Sequence, residues 1–450
     1  MKTVFLFIPN YVYSSDLLRT EYIKYLSGKY RVIVFLPPFI FQNLPQHNYY
    51  RNPNIVYAEW RMRNERLLGL FKLLRVSCVK QFDQLTSVQL NYKFFFGDWK
   101  RKFLRKISSF LPMVLTVDFF SGLEKLFLYC PGLFLKYCKS YHPVLVLTAT
   151  PGLTTFEAEI IAFAKRAKIH TVAVDFSWDN LTSNSKHIRK TDYLIAWNEI
   201  IKNEAVRLHN YPEDRIFVSG ILRFDHNFKE EQSKISRKEF LLSKNLNPDK
   251  KTILFSTVTQ GCHPLQKEFV RDLIRIRDKK IAGQPNIFIR LHPKDRYENY
   301  TEFLNAKNLH IERAGRQFCS PLYGSGRIEM NEDDLTNLKY TLLYTDININ
   351  CFSSISLEAC VFDKPIINVS SEKYLGFFSG FEHYKPIVEQ SAAKVADSLD
   401  KLTEYINFYL ENPNSDSENR KIIARKFVPF SDSLSYKRNV DFLDEIICAA

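Results

Sequence analysis

The chain has 450 residues, of which 45% are hydrophobic and 25% are charged, and its formal net charge is +14 at pH 7. This length exceeds what one hydrophobic core supports and predicts two domains of about 200 residues each, while the composition argues against a disordered protein. No stretch reaches the roughly 18 consecutive apolar residues that predict a membrane-spanning helix. The eight cysteines are scattered without a Cys-x-x-Cys pair, which indicates thiols in a reducing compartment and predicts a cytoplasmic protein.

The first half of the chain alternates predicted strands and helices. Residues 4–8 form an apolar run that fits a first buried strand, since it is too short for the core of a signal peptide and no cleavage site follows it. We expect the next helix to start at Asp16, whose carboxylate suits an N-cap. In a doubly wound sheet the loop after the first strand faces the ligand, so Asp16 and Arg19 are also candidate substrate contacts.

Residues 60–107 carry most of the excess charge. They hold twelve Lys or Arg and three acidic residues, interleaved with Trp, Leu and Phe, a mixture typical of basic amphipathic helices on an anionic membrane. We therefore predict a basic helical insertion at about 60–140 and peripheral attachment to the inner face of the cell membrane. A solvated insertion that packs on its own domain is the alternative. Nucleic acid is not expected as a partner, because no helix-turn-helix, zinc-finger or RNP pattern accompanies the charge.

A polar loop at residues 175–185 follows a predicted strand, and it is long enough to line a binding cleft. It holds two carboxylates four residues apart, for which ordinary Asx-turn chemistry is the alternative explanation. The candidate substrate contacts of this half are Asp175, Asp179, Trp178, Asn180 and, in the loop that closes the half, Arg223.

The second half begins after a charged stretch at residues 229–250, which we predict to be the interdomain linker. A strand at 252–256 then leads into a loop in which Thr257 and Gln260 could meet a phosphate, together with backbone amides. We expect residues 315–335 to be a loop excursion that carries the acidic run 332–334 on its surface.

Two strand-to-helix turns of the second half carry the strongest signature. In the first turn, a buried strand that starts at residue 286 ends in Arg290, His292, Pro293 and Lys294, so that cations gather where the strand ends. In open α/β sheets, ligands bind beyond the carboxyl ends of the strands. We therefore expect these four residues to contact the phosphates of a nucleotide.

In the second turn, Ser353 and Ser354 precede a predicted helix, and Glu358 lies one helical turn further on. The N–H groups at a helix N-terminus bind phosphate well, and the two serine hydroxyls could join them or could only cap the helix. A carboxylate at the position of Glu358 can reach the hydroxyl groups of a ribose whose phosphate lies at the helix start.

The Arg-x-His-Pro turn, the Ser-Ser-x-x-x-Glu helix and the Lys364-Pro365 pair before the next strand resemble the C-terminal half of GT-B nucleotide-sugar glycosyltransferases. They are most similar to bacterial surface-polysaccharide enzymes, including CDP-glycerol glycerophosphotransferases and transferases that use CMP-activated sugars. Residues 176–183, Phe-Ser-Trp-Asp-Asn-Leu-Thr-Ser, resemble a segment of surface-carbohydrate biosynthesis proteins. In these relatives the His-Pro and Ser-Ser turns hold the donor's phosphates.

The resemblance implies an α/β fold of two Rossmann-like domains that face each other across a cleft, with the basic helical insertion in the first. It implies an acceptor-side domain at 1–228, a nucleotide-donor-binding domain at 251–405, and C-terminal helices at 406–450 that pack back on the first domain. The function that it implies is transfer of a sugar from a CMP-, CDP- or UDP-linked donor to a growing surface glycan or lipid-linked acceptor.

Such a transfer needs a base for the acceptor hydroxyl and cations or amides for the departing phosphate. Asp179, Asp175 and Asp16 are the candidate bases, in falling order of preference. No Asp-x-Asp follows a predicted strand, so we expect no metal or other cofactor to be required. Asn350 stands eight residues before Glu358, where many retaining GT-B enzymes have a glutamate, and this departure favours an inverting reaction.

Three other functions are compatible with the same residues. A polyol-phosphate transferase that uses CDP-glycerol or CDP-ribitol would employ the same phosphate turns, and a nucleotide-sugar 2-epimerase is a more distant alternative. A non-catalytic, membrane-docked assembly factor that kept the fold would differ from these enzymes by having lost nucleotide binding.

Overall fold

The computed structural model describes residues 1–61, 85–87, 132–152, 154–183, 189–229, 235–258, 265–318, 327–370 and 380–449. The predicted insertion at about 60–140 lies mostly outside these residues, and Gln260 lies outside them as well. The described parts of Met1–Arg223 and Leu434–Ala450 form one unit, and those of Phe224–Phe318 and Gly326–Ser433 form the other.

The first unit is built on a parallel sheet of seven strands. The strands are β1 Thr3–Phe7, β2 Arg31–Leu36, β3 Ile55–Glu59, β4 Pro143–Thr148, β5 His170–Val174, β6 Tyr193–Ala196 and β7 Ile216–Val218. Their spatial order is β3-β2-β1-β4-β5-β6-β7. The winding direction therefore reverses between β1 and β4, which is where sheets of this kind bind ligands beyond the strand ends.

Helices connect these strands. They are α1 Tyr11–Leu18, α2 Glu21–Lys29, α3 Pro38–Phe41, α4 Leu44–His47, α5 Gly132–Tyr141, α6 Thr155–Arg166, α7 Asn180–Ser183 and α8 Glu199–His209. The predicted helix start at Asp16 is wrong. Asn10 caps α1, since its side chain accepts a hydrogen bond from the N–H of Val12 at 3.0 Å, and this cap at the strand end places Asp16 inside the helix.

Aromatic side chains form much of the core on one face of the first sheet. Phe5 and Phe7 of β1 are fully buried together with Phe35 of β2, and the rings of Phe7 and Phe35 stack with centroids 4.4 Å apart. Every residue of β1 is buried, as expected for a central parallel strand that helices cover on both faces. The first strand-to-helix turn therefore follows directly on a fully packed strand.

The second unit contains a parallel sheet of six strands and a separate antiparallel pair. The strands are β8 Thr252–Ser256, β9 Asn286–Leu291, β10 Leu309–Arg313, β11 Arg316–Phe318, β12 Arg327–Glu329, β13 Ile347–Asn350, β14 Ile366–Val369 and β15 Lys394–Ala396. The parallel sheet has the order β10-β9-β8-β13-β14-β15. Its winding reverses between β8 and β13, and the turns that follow β9 and β13 carry the two sequence signatures.

The helices of this unit are α9 Asp225–Phe228, α10 Arg237–Ser243, α11 Gln266–Lys280, α12 Glu332–Tyr344, α13 Ile355–Val361, α14 Lys385–Glu389, α15 Leu399–Glu411 and α16 Ser417–Phe427. The predicted loop excursion at 315–335 is wrong in its described part. Residues 316–318 pair with 327–329, and the acidic run begins α12, where Asn331 and Asp334 form a capping box. The last helix, α17 Ser435–Ala449, belongs to the first unit, where Asp441 accepts a hydrogen bond from Lys29 at 2.6 Å.

Each unit is thus a parallel sheet with helices in its connections, which confirms the predicted α/β fold class. No helix in the part of the chain that the structure describes is both long enough and apolar enough to cross a membrane.

Candidate active site

Tyr13 is a half-buried residue of α1, the helix that follows β1. Burial raises the pKa of Tyr13 well above its ordinary value, and the negative charges of Glu157, Asp175, Asp179 and Asp16 raise it further. These carboxylates come from three strand-to-helix connections, those after β1, β4 and β5. The topology therefore collects acidic groups at the switch point, and sequence reasoning had identified all of them except Glu157.

Asp175 directly follows β5 and is fully buried. Its Oδ1 accepts hydrogen bonds from the side chain of Asn180 at 2.6 Å and from the N–H of Ser177 at 3.3 Å. Its Oδ2 has no partner among the described residues. Burial raises the pKa of Asp175 to about 7, although these hydrogen bonds act in the opposite direction. The carboxyl group is therefore partly protonated near neutral pH and holds the loop through Asn180.

Asp179 is the member of this loop that remains half-buried. Its carboxylate accepts a hydrogen bond from the hydroxyl of Ser177. Its backbone oxygen accepts a hydrogen bond from the N–H of Ser183 at 2.8 Å, and this bond lies at the start of α7. The neighbouring Trp178 is only 5% exposed. Asp179 therefore combines a carboxylate with access to solvent, as a base that meets a substrate hydroxyl requires.

Asp16 is held in a bidentate ion pair. Arg223 donates to its two oxygens from Nε at 3.1 Å and from a terminal nitrogen at 2.8 Å, and Asp16 is only 3% exposed. The pair ties the first helix to the loop that follows β7. Arg19 lies elsewhere, with its guanidinium 4.9 Å from the ring centroid of Tyr49. The structure thus brings Asp16 and Arg223 together, and both oxygens of Asp16 are already engaged.

Glu157 is the residue of this edge that sequence reasoning missed. It is fully buried in α6, where it accepts hydrogen bonds from the N–H of Thr150 and the hydroxyl of Thr154, both at 2.7 Å. Burial raises its pKa to about 7. The pattern Thr154-x-x-Glu157 is a capping-box signature that could have located it on the helix. Glu157 lies near Tyr13 because β1 and β4 pair in the sheet, and the local sequence does not reveal this pairing.

At the second sheet's carboxyl edge, His292 and Lys294 follow β9. The Nδ1 of His292 accepts a hydrogen bond from the N–H of Lys294 at 3.0 Å, so the neutral ring carries its hydrogen on Nε2. Burial, and then the charge of Lys294, lower the pKa of His292 to about 4. The ammonium group of Lys294 is exposed. This turn therefore presents a neutral N–H donor beside a cation, with Pro293 between them.

Hydrogen bonds to Thr257 and Asp295 fix the shape of this turn. The hydroxyl of Thr257 accepts from the N–H of His292 at 2.8 Å and donates to Asp295 at 3.0 Å. The hydroxyl of Tyr300 also donates to Asp295, at 2.7 Å. Thr257 was predicted to contact a phosphate, but its hydroxyl hydrogen is already donated to Asp295. Asp295 and Tyr300, which sequence reasoning did not single out, position the turn.

Arg290 takes part in a buried ion cluster. It is 6% exposed and donates to Glu312 at 2.5 Å and to the backbone oxygen of Asp334 at 3.4 Å. Glu312 also accepts from Lys244 at 2.7 Å. Burial would raise the pKa of Glu312, but the hydrogen bond from His310 and the charges of Arg290 and Lys244 outweigh it and lower the pKa to about 2. This geometry favours a structural role for Arg290 over the predicted phosphate contact.

The Ser-Ser turn lies after β13. Ser354 stands at the N-cap of α13 but makes no side-chain capping bond, and no described residue hydrogen-bonds to the hydroxyl of Ser353 or Ser354. Below them, Asn350 accepts from the N–H of Ser353 at 2.9 Å and donates to Ser356 at 3.0 Å. Asn350 thus supports the turn. Glu358, in the first turn of α13, is 8% exposed and has polar contacts within the protein.

No group of three or more His, Cys, Asp or Glu side chains suited to a metal ion occurs within the described ranges.

Comparison with protein families gives one match that covers more than half of the chain. The family model described as "CDP-Glycerol:Poly(glycerophosphate) glycerophosphotransferase" matches residues 164–444. A comparison with curated proteins finds no sequence match.

Solved structures resemble the chain over almost its whole length. The UDP-GlcNAc 2-epimerase from Neisseria meningitidis bound to UDP-GlcNAc has 14% identity and a TM-score of 0.56, with 99% of this chain and 100% of that chain covered. A glycosyltransferase from Rickettsia africae has 11% identity and a TM-score of 0.52, with 99% of this chain and 98% of that chain covered. A variant of the wall teichoic acid polymerase TagF has 12% identity and a TM-score of 0.53, with 100% of this chain and 89% of that chain covered. At such low sequence identities the similarity shows only the fold, which is the predicted GT-B type.

Proposed function

The chain belongs to the CDP-glycerol:poly(glycerophosphate) glycerophosphotransferase family, and on that premise we propose that it transfers a polyol phosphate, in the first instance glycerol phosphate from CDP-glycerol, to a hydroxyl group of an anionic surface polymer. Family and fold together identify an enzyme of the GT-B transferase type that uses a nucleotide-activated donor. The choice of polyol phosphate over sugar rests on the family match, because the phosphate turns suit both donors.

The observation that carries this proposal is the pair of turns after β9 and β13. His292 offers an Nε2–H, Lys294 offers an exposed ammonium group, and Ser353 and Ser354 offer hydroxyls that no described residue engages. A diphosphate has oxygens enough to accept from all of them. Hydrogen bonds to a charged group contribute about 1.5 to 3 kcal/mol each, so loss of one of them should weaken nucleotide binding about ten- to a hundredfold.

The first unit supplies the proton acceptor. We assign this role to Asp179, because it is the accessible carboxylate of its loop, whereas Asp175 is buried and both oxygens of Asp16 are held by Arg223. The acceptor oxygen attacks the β-phosphorus of the donor as its proton passes to Asp179. The bond from that phosphorus to the bridging oxygen breaks, and CMP leaves with the negative charge, which the donors of the second unit stabilise.

Glycosyl transfer from a nucleotide sugar to a surface glycan is the second candidate. The segment at residues 176–183, which resembles surface-carbohydrate biosynthesis proteins, favours it. The same base would then activate an acceptor hydroxyl for attack at the anomeric carbon, with inversion and with a nucleotide as the leaving group. Asn350, which binds the protein's own Ser353 and Ser356, does not offer the carboxylate that a retaining reaction would use at that position.

Nucleotide release distinguishes the candidates. The protein is incubated with CDP-glycerol, CDP-ribitol, UDP-GlcNAc or a CMP-linked sugar, each with a glycerol phosphate oligomer as acceptor. We expect acceptor-dependent release of CMP from a CDP-linked polyol. Turnover confined to a nucleotide sugar would replace the proposal by glycosyl transfer. Failure of the protein to bind any of these nucleotides would favour the non-catalytic assembly factor.

Peripheral attachment to the inner face of the cell membrane remains a prediction from residues 60–107, with a lipid-linked acceptor as its rationale. Each Lys or Arg near an anionic bilayer contributes about 1 kcal/mol. Co-sedimentation with anionic vesicles should weaken with added salt and should be lost when Lys100, Arg101, Lys102, Arg105 and Lys106 are changed to Gln. Equal binding to neutral vesicles would contradict the prediction.

A further inference from the structure

A cavity of about 620 Å³ opens at the amino-terminal edge of the first sheet. The charged residues of its lining are Lys165, Lys168, Lys190, Asp192 and Arg215. Most of them lie just before β5, β6 or β7. The cavity therefore lies at the opposite ends of these strands from the carboxylates of the candidate active site, and its volume is in the range of ligand sites.

The cavity wall is positively charged. Lys165, Lys168, Lys190 and Arg215 line it, and Asp192 is the one carboxylate among the lining residues that the structure describes. Asp192 accepts hydrogen bonds from the N–H and the hydroxyl of Thr171 at 2.9 and 2.7 Å and pairs with Lys165 at 3.1 Å. Its charge is thus compensated within the wall. Arg215 is partly compensated as well, since the carboxylate of Asp214 lies 3.6 Å from its Nε. Lys168 and Lys190 therefore carry most of the positive field that attracts anions.

Several of these cations are held in place before any ligand arrives. The guanidinium of Arg215 lies 4.8 Å from the ring centroid of Tyr193 and bonds to its hydroxyl. Lys190 donates to the backbone oxygen of Asn210 at 2.6 Å. Lys168 is exposed, and no described residue pairs with it. Pre-positioned cations lose less conformational entropy on binding than mobile surface lysines do.

We propose that this cavity binds phosphate groups of the polymer acceptor, at a distance from the end that reacts, so that the protein holds its acceptor at two places. The inference rests on the proposed function for the nature of the polymer. The cations are spread around a space much larger than one phosphate, which suits several linked phosphates better than a free ion. β5 has five residues, and at about 3.3 Å per residue the two sheet edges lie about 15 Å apart. A free phosphate cannot occupy both places, whereas a phosphodiester chain that runs over the surface can.

Calorimetric titration with a synthetic glycerol phosphate hexamer, and separately with inorganic phosphate, tests the assignment at low salt. The variant is Lys168→Gln with Lys190→Gln, and the matched control is Lys136→Gln with Lys139→Gln on α5, which removes the same charge elsewhere on the first unit. We expect hexamer affinity to fall about tenfold or more in the cavity variant and to stay at the parent value in the control. Lys168→Gln alone, which breaks no described contact, should show part of the loss.

If hexamer affinity falls equally in the cavity variant and in the control, the effect comes from net charge alone and the proposed site is wrong. Unchanged affinity in the cavity variant, or no hexamer binding to the parent protein, would also overturn it. Inorganic phosphate binding as tightly as the hexamer would identify a free-phosphate site instead. CDP is titrated into the same proteins as an independent readout. If the parent protein does not bind CDP, the proposed function is contradicted, whereas the hexamer result still decides whether the cavity binds linked phosphates.

Discussion

The carboxyl edges of the two sheets share a topology and differ in chemistry. At the first edge, the connections after the strands supply buried or half-buried carboxylates around Tyr13. At the second edge, the corresponding connections supply a neutral imidazole, an exposed ammonium group and serine hydroxyls. The parallel sheet fixes where a site forms, and the few residues after each strand decide whether that site accepts a proton or binds an anion. Substitutions at the first edge should therefore affect turnover, and substitutions at the second edge should affect nucleotide affinity.

The largest effect is expected at the first edge. Asp179→Asn keeps the shape and the hydrogen bond to Ser177 but removes basicity, so turnover should fall by about 100- to 10,000-fold while nucleotide affinity remains at the parent value. Steady-state kinetics and CDP titration on the same protein measure both quantities. Transfer at the parent rate would place the base elsewhere, with Asp175 and then Asp16 as the next positions to change.

A loss of stability without a loss of affinity is expected for Arg290→Ala. Removing one partner of a buried ion pair leaves Glu312 with less compensation and should lower the free energy of unfolding by about 3 to 5 kcal/mol. CDP affinity of the folded variant should stay close to that of the parent. A variant with parent stability and weakened CDP binding would restore Arg290 as a direct phosphate contact.

The burial of Asp175 predicts a pH-dependent stability. The folded state keeps this proton up to about pH 7, whereas the unfolded chain releases it near pH 4, so the folded state binds more protons between these values. The contribution of Asp175 to stability therefore falls as pH rises through this window. Urea unfolding should show Asp175→Asn gaining stability relative to the parent from pH 4.5 to pH 7.5, and Glu157→Gln should show the same trend. A difference that does not change with pH would contradict the prediction.

A smaller and salt-dependent effect is expected for Lys294→Gln. The side chain is exposed, so its attraction to a diphosphate is screened. CDP affinity should fall about three- to tenfold at low salt, and the difference from the parent should shrink at 0.5 M salt. Lys139→Gln provides the control for loss of one charge. A loss of affinity that is independent of salt would indicate that Lys294 acts through the shape of the turn.

The sequence predicts the sheets well because their strands are continuous apolar runs, such as the one that starts at residue 286, followed at once by polar turns. It also locates the two turns after β9 and β13 that we propose to bind phosphate, since the residues of each turn are contiguous. It fails at the first helix because Asn10, at the strand end, provides a cap six residues before Asp16. Local capping decides that boundary, and either residue type is a good cap.

Residues whose role depends on distant parts of the chain were beyond sequence reasoning. Arg290 looks like a member of the phosphate turn until Glu312, 22 residues later, is seen to hold its guanidinium. The charge of Glu157 acts on Tyr13 because β1 and β4 are neighbours in the sheet although they are far apart in sequence. The same strand pairing determines which carboxylates are buried, and hence which pKa values shift.

We propose that neutral His292 donates to the phosphate of the donor nucleotide, and titration of CDP into the parent, His292→Ala and His292→Gln tests this contact. Loss of a hydrogen bond to a charged phosphate should weaken binding about ten- to a hundredfold in His292→Ala, with part of the affinity kept by the amide donor of Gln. Because the pKa of His292 is about 4, the ratio of parent to His292→Gln affinity should be constant from pH 5.5 to pH 8. Parent affinity in His292→Ala would show that His292 does not bind the phosphate, and a ratio that rises below pH 6.5 would show that a charged imidazole binds it instead.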